Sequence, residues 1–131
     1  MSVPGLRTFK SRHDPTETLE RLEAAIERHG MIVFARIDHG ARAEKAGMEL
    51  RPTVVVLFGS PQAGTPYMQA RQTLGIDLPL KALIWQDAEG TTWVGVNEPA
   101  WLFRRHGIGD DGGDDVMSDV LANVVGEATA Q

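Results

Sequence analysis

The run TVVVLF at residues 53–58 constrains the fold most, because its β-branched and apolar residues follow one another without polar alternation. A strand with one solvated face alternates apolar and polar side chains, whereas a strand that is covered on both faces or lies centrally does not. The segment is therefore predicted to be a central strand. The rest of the chain must supply its neighbours.

Strand-like and helical segments alternate on both sides of this run. Asp14 is a predicted N-cap, Pro15 suits a first helical position, and Glu17 completes a capping box, so a helix begins there. The full order is β-α-β-α-β-α-β-β-α-α, with a hairpin near the end. This order predicts an α+β fold with a mixed sheet of about five strands and helices packed on it. The other strands are predicted at residues 6–11, 31–37, 78–86 and 91–96.

The chain divides by composition into three predicted parts. Its 131 residues fit a single domain, and the 42% of hydrophobic residues suffice for a core. We expect an α+β domain at 1–109, an acidic glycine-rich linker at 110–115 and an amphipathic C-terminal helix at 116–131. The apolar stripe of that helix would pack either on its own domain or on a second chain.

Charge and composition exclude several classes of function. The net charge is −5, but residues 110–131 carry six acidic and no basic residues, so the remainder is nearly neutral. A nearly neutral body lacks the basic excess that phosphate backbones require, which argues against nucleic-acid binding. Cysteine is absent, and no run approaches the roughly 20 apolar residues of a membrane span. We expect a cytoplasmic protein that does not insert into a membrane.

Asp38 and His39 stand where an apolar strand gives way to a short helix. Asp38 is a preferred N-cap residue, and on that interpretation the pair only starts the helix. On the functional interpretation His39 faces a crevice and binds an anion or moves protons, with Asp38 orienting it. No recognised metal-ligand spacing joins His39 to another candidate ligand, so no metal is predicted. The other candidate ligands are His13, Glu44, Glu98 and His106.

Two further segments could contribute to a site. FGSPQAGTP is predicted to run from a strand through a loop at 59–65 into a helix capped by Thr65. That layout suits an anion, although Gly59, Ser60 and Gly64 are equally explained as turn residues. Lys81 alternates with apolar residues along its strand. Its stem could lie along the surface, or its amine could be half-buried with a lowered pKa.

Four stretches in this order resemble the domain-of-unknown-function 302 family over roughly residues 6–107. The resemblance implies a fold similar to that of the TATA-binding protein, with a curved mixed sheet, helices on one face and dimers as the usual state. Asp38 and His39 match the family's DH positions. The family has no established activity, and fold alone does not imply function. The stretches are FARIDHGARAEKAGMEL, RPTVVVLFGSPQAGTPYMQ, IDLPLKALIW and VGVNEPAWLFRRHGI.

These observations together predict a small homodimeric ligand-binding domain. Its crevice is expected where Asp38–His39, the 59–65 loop and the 77–81 strand start converge, and its ligand is expected to be a small anion. No cofactor is specified. One alternative is an enzyme that uses His39 as general acid or base, and another is an interaction module without a pocket. The predicted ligand-binding residues are Asp38, His39, Gly59, Ser60, Gly64, Thr65 and Lys81.

Overall fold

A five-stranded sheet forms the centre of the computed structural model, which describes residues 2–109 and 112–130. The strands lie in the spatial order β1-β5-β4-β3-β2, so the first strand pairs with the last. The TVVVLF run forms β3, an interior strand between β4 and β2, as predicted. The strands are β1 (Leu6–Ser11), β2 (Ile32–Asp38), β3 (Thr53–Gly59), β4 (Leu80–Gln86) and β5 (Thr92–Asn97).

Five α-helices complete the fold, and a 3₁₀ turn at Gln72–Ile76 precedes β4. Asp14 caps the first helix as predicted, since its Oδ1 accepts the Glu17 backbone N–H at 2.7 Å. The predicted α+β class and the predicted order of strands and helices are confirmed. The helices are α1 (Pro15–Arg28), α2 (His39–Lys45), α3 (Pro61–Ala70), α4 (Pro99–Arg105) and α5 (Gly113–Thr129).

The sheet is antiparallel in every neighbouring pair, so the expectation of a mixed sheet was wrong. A parallel pair needs a crossover that returns along the sheet to the starting end. With its seven residues α2 is about 10 Å long, whereas the seven-residue strand β2 spans about 23 Å. The α2 helix alone is too short for such a return, and β3 runs back beside β2 in the antiparallel sense.

The main core lies between one face of the sheet and the pair α1 and α5. Helix α5 supplies Leu121, Val124, Val125 and Ala128, all at most 2% exposed, and packs along α1. The last helix therefore packs on its own domain. It begins at Gly113, inside the predicted linker, and residues 110 and 111 of that linker lie outside the described residues. The sheet contributes Val56, Phe58, Ala82, Ile84, Val94 and Val96.

A second, smaller apolar cluster lies where α3, α4 and the 3₁₀ turn meet. Leu74, Leu102 and Phe103 are its buried members, and the ring of Tyr67 packs 4.9 Å from that of Phe103. Met117 of α5 packs against this cluster, whereas Val120, one turn later, packs against the main core. Helix α5 thus joins the two clusters.

Helix α3 begins earlier than predicted, so residues 61–65 are helical and the proposed 59–65 loop was wrong. Ser60 is the N-cap residue, Pro61 occupies the first turn and Pro66 lies inside the helix. The Ala63 and Gly64 N–H groups both donate to the Ser60 carbonyl at 3.0 Å. Proline suits the first helical position, and the segment contains two candidates for it. The prediction chose the second proline, whereas the helix starts at the first.

The sheet face opposite α1 and α5 is called the open face here. Because side chains alternate along a strand, it carries the residues between the buried ones, among them Val55, Leu57, Leu83 and Trp85. These side chains are half-buried, whereas Val56, Phe58, Ala82 and Ile84 on the core face are fully buried. Trp93 of β5 stacks on Trp85 with ring centroids 6.5 Å apart. The open face is therefore predominantly apolar.

Candidate functional site

A cavity of about 670 Å³ lies at one end of the sheet, between the two apolar clusters. Met31 and Leu80 reach it from the side of the main core, and Met68 and Leu78 reach it from the smaller cluster. Helix α3 and the first turns of α5 form the remaining walls. The other lining residues are His29, Gly30, Phe34, Leu57, Gly59, Ser60, Pro61, Ala63, Gly64, Thr65, Pro79, Val116, Met117 and Val120.

The polar side chains that line the cavity are few, and two of them are already engaged. Ser60 Oγ donates to Gln62 Oε1 at 3.1 Å. His29 Nε2 lies 2.5 Å from Glu127 Oε2, and Arg28 binds the other oxygen of the same carboxylate at 2.8 Å. These contacts, His29 first and then Arg28, lower the pKa of Glu127. The His29–Glu127 pair thus ties the end of α1 to α5.

No lysine or arginine in the described part of the chain lines this cavity. A small free anion that leaves water needs a charge partner or several hydrogen-bond donors, because burying an unpaired charge is costly. The walls instead consist mainly of aliphatic carbons and methionine thioethers. The cavity therefore suits an apolar molecule better than the small anion expected from the sequence.

Asp38 and His39 lie far from this cavity. Gly59, at the cavity, is paired with Ile32 at the start of β2, whereas Asp38 is paired with Val54 at its other end. The two positions are five residue steps apart along β3, which corresponds to about 17 Å. The predicted convergence of Asp38–His39 with the 59–65 segment was therefore wrong. A pair of antiparallel strands puts the end of one strand beside the start of the next.

The Asp38 side chain caps α2, as the helix-start interpretation predicted. Its Oδ1 accepts the Ala41 N–H at 2.9 Å. His39 is the first residue of that seven-residue helix and is exposed. The geometry thus gives Asp38 a local structural role and leaves His39 on the surface.

Four of the seven predicted site residues do line the cavity, namely Gly59, Ser60, Gly64 and Thr65. Gly64 lies close to the opposite wall, since a Cβ built on it would come within 3.4 Å of Leu78 Cδ1. Lys81 is half-buried on β4, directly opposite the lining residue Leu57. The structure therefore groups the four predicted residues of the 59–65 segment at the cavity. Lys81 lies beside them, opposite Leu57.

Sequence reasoning missed the apolar lining. The sequence places Met117 and Val120 in the predicted C-terminal helix and Met31 at the start of the predicted 31–37 strand, and it indicates no role for them in a site. Their apolar character was visible, but it does not distinguish a residue that fills a core from one that borders a cavity. The flexible thioethers of Met31, Met68 and Met117 were the available signal, because methionine is common at adaptable binding surfaces.

A polar cluster ties the 3₁₀ turn to α4. Asp77 Oδ2 lies 2.5 Å from His106 Nε2, and Arg105 Nη1 donates to both Asp77 oxygens at 2.8 Å. Thr73 Oγ1 lies 2.9 Å from His106 Nδ1. Elsewhere His13 pairs with Glu17 at 3.4 Å. Within residues 2–109 and 112–130, no three histidine or carboxylate side chains gather as a metal site would require.

Comparison with curated proteins finds relatives among longer chains. The chain is 51% identical over 105 residues to the fluoride-specific ion channel FluC 1 of Brucella suis biovar 1, covering 80% of this chain and 41% of that protein. FluC 1 of Brucella abortus biovar 1 is equally similar, with 39% of its length covered. The chain thus spans about two fifths of these relatives. Within the described residues no helix is long and apolar enough to cross a membrane.

Comparison with solved structures identifies the fold. The crystal structure of an uncharacterized conserved DUF302 protein from Bacillus stearothermophilus superposes with a TM-score of 0.84 and 22% sequence identity. The match covers 96% of this chain and 99% of that one. The family model for the domain of unknown function DUF302 matches residues 7–126. With nearly its whole length matched in sequence, the chain belongs to the DUF302 family.

Proposed function

We propose that this domain binds a small, predominantly apolar molecule in the cavity between α3, α5 and the end of the sheet. The observation that carries the proposal is the cavity itself, whose volume of about 670 Å³ falls within the usual range for ligand sites. Ligand pockets are typically lined by apolar side chains with a few polar groups that orient the ligand. Ser60 and Thr65 would supply such groups here.

The position of the cavity supports the proposal as well. This space separates two well-packed clusters and is bordered by three methionines, Met31, Met68 and Met117. An apolar molecule that enters this space removes apolar surface from water, which favours binding. Flexible methionine side chains would adjust to the shape of the occupant.

A neutral fluorescent probe such as phenylnaphthylamine tests the proposal. We expect its emission to rise when it enters the apolar cavity, and we expect saturation at one probe per chain. Ala63→Trp introduces a large side chain at an exposed lining position of α3, so it should block the probe without disturbing the core. Gln69→Trp is the matched control, because Gln69 is exposed on the same helix and does not line the cavity.

The two variants decide the outcome. Loss of probe binding in Ala63→Trp with retention in Gln69→Trp supports the site. Equal binding by the wild type and both variants places the probe elsewhere and contradicts the proposal, as does an absence of binding by the wild type. Sodium fluoride should leave the bound probe in place, because apolar walls do not stabilise a small hydrated anion.

We also propose that the domain is a cytoplasmic homodimer in which a second copy covers the open face. Half-buried apolar side chains such as Leu83, Trp85 and Trp93 form a continuous surface there, and large exposed apolar patches mark interaction sites. A partner that presents the same face would bury both at once, which is the arrangement of a two-fold dimer. The absence of cysteine fits a reducing compartment.

A further inference from the structure

Lys81 stands at the margin of the cavity and on the open face of the sheet. It is paired across the strands with Leu57, which lines the cavity, and it follows Pro79, another lining residue, by two positions. Cβ atoms of directly opposed residues in antiparallel strands lie about 4.5–5.5 Å apart. The flexible stem of Lys81 therefore starts beside a residue of the cavity wall.

The ammonium of Lys81 has no ion-pair partner among residues 2–109 and 112–130. Its neighbours across the strands are Leu57 and, by register, Asn97, neither of which carries a charge. Asp77, four residues before Lys81, is already bound to Arg105 and His106.

The Lys81 side chain is half-buried, and a cation beside apolar surface is stabilised by an anion placed next to it. The stabilisation by an anion is larger if a second copy covers the open face, because the ammonium then loses water. The cavity supplies an apolar compartment next to that cation, and its lining lacks a lysine or arginine among the described residues. The region thus combines a positive charge at Lys81 with an adjacent apolar compartment in the cavity.

We propose that the cavity binds an amphipathic monocarboxylate, with its hydrocarbon body between the two apolar clusters and its carboxylate at Lys81. The inference rests on the proposed function and adds the chemical class of the ligand. The hydrocarbon body gains from leaving water, at roughly 0.8 kcal/mol per buried CH₂. The carboxylate accepts a charge-assisted hydrogen bond from the lysine and stays at the mouth, where its remaining lone pairs face water.

Displacement of the neutral probe phenylnaphthylamine by decanoate and by decanol tests the inference. The two competitors share a chain length and differ in the head group, so their ratio isolates the contribution of the charge. After correction for their different free energies of transfer out of water, we expect the wild type to bind decanoate about tenfold tighter than decanol. This preference corresponds to about 1.4 kcal/mol. Lys81→Met keeps an unbranched side chain without the charge and should remove this preference while leaving decanol binding unchanged.

Lys10→Met is the matched control. Lys10 lies opposite Trp93 on the same face of the sheet, but on the edge strand β1, away from the cavity. The substitution removes the same charge from the chain, so it reports the effect of net charge alone. The carboxylate preference should survive in Lys10→Met, and all three proteins should bind the neutral probe equally.

The possible results distinguish the carboxylate assignment at Lys81 from the proposed apolar site. Loss of the preference in Lys81→Met alone supports the assignment of the carboxylate to Lys81. Equal binding of decanoate and decanol by the wild type overturns the inference and leaves the apolar site standing. An equal loss in Lys10→Met also overturns it, since a general charge effect would then explain the preference. A wild type that fails to bind the neutral probe overturns both proposals.

Discussion

Asp38 and His39 are adjacent in the chain, but their side chains have different structural roles. Asp38 Oδ1 satisfies the Ala41 N–H at the start of α2, whereas His39 is exposed. We expect Asp38→Ala to lower the free energy of unfolding by about 0.5–2 kcal/mol through loss of the cap, and Asp38→Asn, which keeps a capping oxygen, to cost much less. Urea unfolding at neutral pH measures both.

His39→Ala serves as the comparison for the cap. An exposed side chain at the first position of a short helix should change the free energy of unfolding by no more than about 0.5 kcal/mol. It should also leave binding of the neutral probe unchanged, because His39 lies at the opposite end of the β2–β3 pair from the cavity. A clear loss of probe binding in this variant would contradict the placement of the site.

Asp87 organises the hairpin between β4 and β5. Its Oδ2 accepts the Trp93 Nε1–H at 2.8 Å and its Oδ1 accepts the Thr91 N–H at 2.9 Å. These bonds, Trp93 first, lower the pKa of Asp87 below its ordinary value. A carboxylate whose pKa is lower in the folded state stabilises that state above the pKa of the unfolded chain. This stabilisation disappears as pH falls through the pKa of the folded state.

Asp87→Asn should therefore destabilise the protein at neutral pH and progressively less in acid. The difference in free energy of unfolding from the wild type should be full above about pH 4 and should shrink below it. Urea unfolding across this range measures the difference, with Glu89→Gln as the charge-matched control in the same turn. A difference that stays constant down to the lowest pH would show that the carboxylate charge plays no part.

At the scale of the element, α5 is a structural helix of this domain. Leu121 is 2% exposed and packs into the main core, while Asp119 is exposed on the same helix. Leu121→Ala should lower the free energy of unfolding by about 2–5 kcal/mol, because it opens a cavity in a close-packed region. Asp119→Ala should change it by no more than about 0.5 kcal/mol. Equal small effects in denaturant unfolding would mean that α5 does not contribute to the core.

At the scale of the whole molecule, the open face predicts self-association. Light scattering at micromolar concentration should give about twice the monomer mass of 14.3 kDa. Leu83→Glu places a charge in the middle of the proposed interface and should yield the monomer, since a buried unpaired carboxylate is costly. Lys45→Glu changes the charge at an exposed position on α2, outside the sheet, and should leave the mass unchanged. A wild type that scatters as a monomer would refute the dimer.

The charge of the molecule leads to a second prediction at this scale. Outside the acidic C-terminal region the chain is nearly neutral, so it offers few cations for counterion release along a phosphate backbone. A mobility-shift assay with duplex and single-stranded DNA at physiological salt should show only weak, salt-sensitive association. Submicromolar binding at that salt would contradict the charge argument.

Local patterns alone predicted the elements and their order. The Asp14–Pro15 start of α1, the Asp38 cap of α2 and the unbroken apolar run of β3 each depend on near neighbours in the chain. Such signals involve residues that are close in sequence, so they can be recognised without a structure. The start of α3 shows their limit, because Pro61 and Pro66 satisfy the same local rule and only the packed structure distinguishes them.

Tertiary structure decided the pairing of the strands and hence the place of the site. Antiparallel pairing of β2 with β3 separates Asp38 from Gly59, whereas a crossover would have been needed to bring these ends together. Helix α5 packs against both apolar clusters, and the cavity lies between them. Its lining therefore brings together Met31, Met68 and Met117 from distant parts of the chain. Contacts between residues so far apart in sequence follow from the geometry of packing, and no local pattern encodes them.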